Sequence, residues 1–584
     1  MPEDEAHLNG HSKRLSDERT PLLKHPPPPA TSNAAPEALD ADQAQSSPPS
    51  DGHTGPNQSL TWIRGIVVTL ALGFLIFLQA TNISLLTTTQ SAIAGELDAF
   101  EKTTWFTSAY LIAMSALGPL NGKLASVFSP RVCIFASTVV LAIGSLLSSV
   151  ANSFETFIAG RSLTGVGASG IFTISIIIVL ELTGSKNRGL AIGVLNSGYT
   201  CGVAVGATAA GALLGPIGWR ALFWMQAPIA LVGGTLLLLA IPSDFTSGKK
   251  EVSDEESNVW QRLARLDYFG ALTLTASIVL LLFALSSPHK IPILPIILSA
   301  VVLVTFVLNE VYLASDPVIP IALLKSRGLL LTCLGTVGYM MARWSVLFYA
   351  PTYALAVRQW TPATAGSILI PTNGGFAIGG LMVGWLHIRR KGSFYIPSVV
   401  VYALFPVTLV ALAALSTELS SPVLYVLVVF ACGAVTGAAL NYNLAHLLHL
   451  TPSSTHYIAT SLLATFRGFA GSFGSAIGGG LFQRKLYTSL TDGFAEEGLR
   501  HREDLVRRLL GSPALVEQLG GAEREVAIRG YEDALRTLFL AGAGLALLTV
   551  FVQAGTGWRA AKEESEVVPV PAEDRRTSTR DDDE

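Results

Sequence analysis

Apolar runs of about twenty residues recur along this chain, at 63–86, 105–124, 132–150, 155–180, 189–214, 220–241, 267–286, 292–313, 328–355, 362–387, 396–415, 422–445, 458–482 and 536–556. A hydrocarbon layer about 30 Å thick is crossed by roughly 20 helical residues, provided the segment satisfies its own backbone. The pattern therefore predicts an all-α integral membrane protein with about fourteen transmembrane helices. Pro, Gly or a charge interrupts several runs, so thirteen or fifteen spans also fit. Only Pro288, His289, Lys290, Ile291 and Pro292 separate 267–286 from 292–313, and a single re-entrant hairpin is the alternative there.

The polar positions lie at the flanks. Residues 1–61 hold ten of the thirty prolines, including Pro26 to Pro29, and are expected to be a disordered cytosolic tail. No cleavable signal peptide is expected, so the first span serves as the insertion signal. Residues 242–266 form a predicted loop, and 558–584 a charged tail. Basic residues of short loops favour the cytosol. With the N-terminal tail cytosolic, that side collects Arg64, Arg131, Lys186, Arg188, Lys249, Lys250, Arg262, Arg265, Lys325, Arg327, Arg389, Arg390 and Lys391. The opposite short loops hold Lys102, Arg220, Lys290 and Arg358. Both tails are thus expected in the cytosol, with the charged, helical segment from Lys485 to Glu532 on the far side.

Half of the residues are hydrophobic and 14% are charged, against roughly 25% in globular proteins. A formal net charge of −3 offers no basic field for nucleic acid. The four cysteines stand singly in apolar stretches and read as packing residues. His446, His449 and His456 cluster after the twelfth span but are too few for a membrane metal enzyme. No P-loop and no serine–histidine–acid arrangement is present. No metal, no cofactor and no enzyme activity are expected.

Within the spans, Arg161 opens the run Arg161-Ser162-Leu163-Thr164-Gly165-Val166-Gly167-Ala168-Ser169-Gly170. An intramembrane charge is costly and points to function. Gly198, Gly202 and Gly206 recur at four-residue spacing, with Gly211 beyond, a stripe that admits a second backbone. The chain continues Gly218-Trp219-Arg220-Ala221-Leu222-Phe223-Trp224-Met225-Gln226-Ala227-Pro228.

These residues resemble the major facilitator superfamily in its fourteen-span drug:proton antiporter branch, and are similar to its fungal vacuolar amino-acid and multidrug transporters. The run at 161–170 resembles the family's fourth-helix motif, with Gly165 in it. The segment from Gly198 to Pro228 resembles the fifth-helix glycine motif and its Trp-Arg ending. Trp105 to Leu111 resembles the start of the second helix, and Ala459 to Gly474, with Arg467, the thirteenth. The resemblance covers about residues 62–557. It implies a 6+2+6 arrangement: a six-helix half at 62–241, two inserted helices at 267–313, and a second half at 328–557 containing the extracytosolic loop 485–535.

Three departures stand out. The loop Gly122-Lys123-Leu124-Ala125-Ser126-Val127-Phe128-Ser129-Pro130-Arg131 lacks the acidic and first basic members of the family's pattern. Gln79 stands where the drug-exporting branch often places an aspartate, and Ala207 where the fifth-helix motif has a proline.

By the resemblance, spans one, four, nine and twelve line a central cavity, which suits binding near the midplane. The polar residues on them are Gln79, Asn82, Arg161, Arg343, Asn441 and Asn443, the candidates for substrate binding or gating. Arg343 lies mid-span and can meet a carboxylate bidentately, or serve structurally through carbonyls and a neighbouring helix. Arg467 is read as structural. Glu181 and Glu310 are the weak candidates for proton carriage. Glu18, with Leu22 and Leu23 four and five positions on, fits an acidic dileucine signal for a cytosolic sorting adaptor. The expected function is secondary transport of small organic solutes out of the cytosol, into a vacuole in exchange for protons. The resemblance implies amino acids, particularly basic ones, although Arg343 argues against a cation at that spot. A plasma-membrane efflux pump for drugs or secondary metabolites, and a solute receptor that no longer transports, are the alternatives.

Overall fold

The computed structural model describes residues 62–182, 188–242, 266–287, 290–314, 324–386, 394–452, 456–499 and 501–557. The tails 1–61 and 558–584, nearly all of the loop 242–266, and with them Glu18, Leu22 and Leu23, lie outside the described residues.

Each of the fourteen apolar stretches is helical. The first eight helices are α1 Trp62–Ser84, α2 Leu86–Glu96, α3 Thr104–Ala116, α4 Gly118–Val127, α5 Pro130–Ser149, α6 Phe154–Leu182, α7 Arg188–Trp224 and α8 Gln226–Ala240. Next come α9 Tyr268–Leu285 and α10 Ile293–Leu308, which ends in a π-helical turn, Asn309–Leu313. The remainder are α11 Arg327–Ala356, α12 Pro362–Ser367, α13 Leu369–Leu386, α14 Tyr395–Leu415, α15 Pro422–Leu450, α16 His456–Glu496, α17 Glu503–Gly511 and α18 Gly521–Ala554. Among the described residues, eleven segments are long and apolar enough to cross a membrane. The other three stretches are helical but shorter or more polar. The second is split at Leu117, ahead of Pro119, whose missing N–H and ring break the ladder there. The sixth is α8, only 15 residues long. The thirteenth lies in α16, diluted by glycines, serines and charges. The stretches 267–286 and 292–313 form two separate helices, not a re-entrant hairpin. Ser277 Oγ donates to the Ser299 carbonyl at 3.1 Å and Ser299 Oγ to the Ser277 carbonyl at 2.8 Å, tying α9 to α10.

The helices pack in two groups of six spans plus this inserted pair. In the first group α1 rests on α7 and α8, and α6 on α3 and α5. In the second, α11 rests on α16 and α18, α13 on α15, and α14 on α15 and α18. The pair reaches both groups through α9, which touches α3 and α16, while α10 packs on α9 and its own π turn. Its outer face is apolar and exposed, as lipid contact requires; Leu294 is 76% exposed.

Small residues set the closest approaches. A Cβ at Gly202 would lie 2.5 Å from the Phe77 carbonyl of α1, and one at Gly206 2.8 Å from Thr81 Cα. Gly165 meets the Tyr110 carbonyl of α3 with no room for a side chain. Gly198 has looser packing, 3.5 Å from the Gly73 carbonyl, and Gly211 instead meets Pro362 of the second group. At the end of α7, Gly218 takes φ +75°, a left-handed turn beside Pro216 that breaks the helix before Trp219.

Candidate functional site

The side on which α1 begins is the tail side; the opposite is the far side. Near the far side of the first group, Arg161 is fully buried. Its Nε donates to the Phe106 carbonyl at 2.9 Å, and its Nη1 to Asn82 Oδ1. Asn82 Nδ2 in turn donates to Gln226 Oε1, and Gln226 Nε2 to the Leu222 carbonyl at 3.0 Å. The guanidinium lies 4.6 Å from the Tyr110 ring centroid. Arg161 Nη2 has no hydrogen-bond partner. The chain thus holds this cation with neutral acceptors and an aromatic face, joining spans one, two, four and six. Gln79, one turn before Asn82, donates to Met114 Sδ at 3.2 Å, while its buried Oε1 is unmatched.

Arg343 is the corresponding charge of the second group, 5% exposed. Its Nη1 donates to Thr436 Oγ1 at 2.9 Å and its Nη2 to Asn373 Oδ1 at 3.2 Å, with the guanidinium 4.1 Å from the Phe376 centroid. Spans nine, ten and twelve therefore meet on it. Arg467 is half-buried on α16. Asn443 donates to Thr336 Oγ1 at 2.5 Å, linking α15 to α11. Asn441 donates within its own helix, to the Gly437 carbonyl at 3.1 Å, and stands against Gly380 of α13.

The acidic candidates lie elsewhere. Glu310 sits in the π turn beyond α10, beside Asn309, whose Nδ2 donates to Asp267 Oδ2 at 2.6 Å. That places it with the inserted pair, away from the central spans. Glu181 closes α6, and its side chain lies outside the described residues. Residues 64–84, 156–179, 327–356 and 422–450, which make up the bodies of spans one, four, nine and twelve, contain no carboxylate. His446 is buried against Thr556 at 3.0 Å, and His456 meets the Thr451 carbonyl at 3.0 Å. Among the described residues no group of three or more metal-ligating side chains forms. In the altered loop, Arg131 reaches the Ile241 carbonyl at 3.4 Å, so it ties span three to the end of span six.

The partners Gln226, Asn373 and Thr436 were not singled out by sequence. Their one signal was a polar side chain inside an apolar span, and only packing identifies what each one faces.

The two groups of helices meet near the far side and at mid-span. Gln483 Nε2 donates to Thr103 Oγ1 at 3.0 Å, Ser108 and Ser475 hydroxyls lie 3.0 Å apart, and Ser115 and Ser472 hydroxyls 3.4 Å apart. A Cβ at Gly366 would lie 2.5 Å from the Ala207 carbonyl. On the tail side α4 packs chiefly on α6 of its own group. Among the described residues, these contacts close the interior toward the far side.

A Major Facilitator Superfamily model matches residues 72–475. "MFS-type transporter clz4" of Cochliobolus lunatus is 26% identical over 495 residues, covering 83% of this chain and 84% of that protein. "Efflux pump apf11" of Gibberella fujikuroi is 26% identical over 534 residues, covering 87% and 90%. "Vacuolar basic amino acid transporter 1" of Saccharomyces cerevisiae is 28% identical over 316 residues, 54% and 55% of the two chains. Among solved structures, an inward-facing bacterial homolog of the human lysosomal transporter Spinster has the same fold, with TM-score 0.57 and 14% identity, covering 87% of this chain and 100% of that one. With its fourteen helical stretches, its two packed groups and these relatives, the chain belongs to the Major Facilitator Superfamily and is a transporter, not an enzyme.

Proposed function

We propose that the protein exports small organic solutes from the cytosol by alternating access, loading them from the tail side into the space between the two groups of helices. The observation that carries this reading is the set of inter-group contacts near the far side, Gln483 with Thr103, Ser108 with Ser475 and Gly366 on Ala207. With basic loops on the tail side, the face opposite these contacts is cytosolic. Arg343, backed by Thr436 and Asn373 and set over Phe376, is the residue that meets a substrate carboxylate or gates its passage. Asn82 and Arg161 hold spans one, two, four and six together as the groups rock. Amino acids and related compounds carry the required carboxylate, and one relative is named for basic amino acids.

Exchange for protons and a vacuolar membrane complete this reading. The described central spans hold no carboxylate, so proton coupling has to run through other groups. The acidic dileucine signal Glu18, Leu22 and Leu23 supports the vacuolar address. Efflux across the plasma membrane is the second reading, favoured by a relative that matches 87% of this chain and is named an efflux pump. Replacing Leu22 and Leu23 by Ala and following the protein's location separates the two. Loss of a vacuolar location supports the first, and an unchanged plasma-membrane location the second.

A further inference from the structure

On the far side, where the two groups of helices meet, the structure contains a polar cavity that none of the residues assigned above occupies. Thr87, Gln90, Thr104 and Thr107 face it from the first group, and Thr352 and Gln483 from the second. Among the described residues its lining consists of hydroxyls, amides and aliphatic or aromatic groups, with no charged side chain. Gln483 is only 2% exposed; its Nε2 is engaged by Thr103 but its Oε1 has no partner. Thr104 Oγ1 is also buried without one. Buried polar atoms are nearly always hydrogen-bonded, so unmatched atoms around one cavity mark a place built for a visiting group.

The cavity has a cover. Leu510 and Pro513 lie on it, from the segment that joins spans thirteen and fourteen. In α17, Val506, Leu509 and Leu510 are buried while Arg508 and Asp504 face outward. Arg507 binds the Asp98 carboxylate at 2.8 Å and the Asp98 carbonyl at 3.3 Å, and lies 3.9 Å from Glu101. Gly511 is pressed onto Phe100, where an added Cβ would come within 2.5 Å of the backbone. Tyr531 anchors the other edge by donating to the Leu509 carbonyl. One segment of the second group is thus latched across the mouth onto the first. Beneath it the cavity holds about 40 Å³, room for roughly three waters.

We propose that this chamber is a solute-binding site on the far-side stretch of the route, taking an uncharged hydrogen-bonding portion of the solute, and that residues 503–518 are its lid. The proposal rests on the export reading, because the chamber serves a route only if solute leaves on that side. An ionic group placed there would find no counter-charge, whereas hydroxyl, amide or ester oxygens and N–H groups would find partners in Gln483, Gln90 and the threonines. Opening requires Arg507 to leave Asp98 and Glu101, and rocking of the two groups pulls on that contact.

The test is thiol labelling from the far side in the full-length protein carrying Thr104→Cys. Labelling at that position is read by peptide mass spectrometry, so the four native cysteines do not interfere. Three methanethiosulfonate reagents are compared: neutral 2-hydroxyethyl, anionic sulfonatoethyl and cationic trimethylammonioethyl, each normalised to its rate with glutathione. With the latch intact, all three should label slowly. Arg507→Glu should speed labelling by the neutral reagent at least about fivefold, the factor for ~1 kcal/mol. Asp98→Arg combined with Arg507→Glu should restore slow labelling, which a misfolded variant would not do. In the opened state the neutral reagent should outpace both charged ones by about tenfold. Unchanged labelling in Arg507→Glu would overturn the lid, and equal entry of the charged reagents would overturn the uncharged site. Thr87→Cys repeats the test from a second wall should Thr104→Cys fail to fold. Labelling needs no transport, so its failure is distinguishable from failure of the export reading.

Discussion

Asn82 is the acceptor on which a fully buried cation depends, and its replacement exposes that dependence. In Asn82→Leu, Arg161 Nη1 loses its acceptor while Nη2 already lacks one, leaving the Phe106 carbonyl as the guanidinium's only hydrogen-bond acceptor among the described residues. Stranding a buried charge in this way costs about 3–5 kcal/mol. Gln226 Oε1 also loses its donor, adding about 1–3 kcal/mol. In the double variant Asn82→Leu with Arg161→Met the cation is gone and Gln226 Oε1 remains unmatched at about 1–3 kcal/mol, while the Phe106 carbonyl keeps its place in the ladder of α3. The relieved desolvation of the guanidinium offsets part of that. The double variant should therefore be more stable than Asn82→Leu alone. The assay is thermal unfolding of the purified protein in nanodiscs, followed by tryptophan fluorescence with wild type and both single variants alongside. Asn82→Leu should melt several degrees lower, with the double variant recovering part of the loss. A double variant whose loss equals the sum of the single losses would refute the coupling, since independent sites add.

Arg343→Ala should abolish transport or change its specificity while membrane abundance stays largely intact, measured as uptake per molecule on quantified membranes; proportional loss of protein and uptake would mark a structural residue. Gly366→Val places a side chain against the Ala207 carbonyl and should push the far side open, seen as faster far-side labelling of a cysteine at Thr104. Glu96 is held below the usual carboxylate range, foremost by the Trp219 indole N–H at 2.5 Å and also by Arg220, outweighing the upward effect of its burial. A depressed carboxylate contributes stability that is present above its unfolded pKa and lost as pH falls through the folded value. Hydrogen exchange around 86–103 and 215–225 should thus accelerate below about pH 4, and Glu96→Gln should remove that acid-side change.

The spans were legible because membrane insertion is decided by local composition: each of the fourteen stretches, including the weak pair at 267–286 and 292–313, is a helix. The break at Leu117 was less legible, although Gly118-Pro119 carries its cause. Site geometry was legible only in part. Arg161, Asn82 and Arg343 stand out as polar residues in apolar spans, but their partners Gln226, Asn373 and Thr436 come from helices far along the chain. The segment after span thirteen reads as a charged helical loop; nothing local reveals that Arg507 reaches Asp98 and Glu101, some four hundred residues earlier.

The most direct measurement is uptake into sealed vesicles oriented with the tail side outward and an acidic interior. A mixture of amino acids and lipophilic cations is offered outside, with and without a proton-dissipating ionophore, against vesicles lacking the protein. Proton-driven export from the tail side predicts accumulation of a solute that the ionophore abolishes. Accumulation that survives the ionophore would contradict proton exchange, and vesicles that accumulate no more solute than the protein-free controls would contradict export of these solutes.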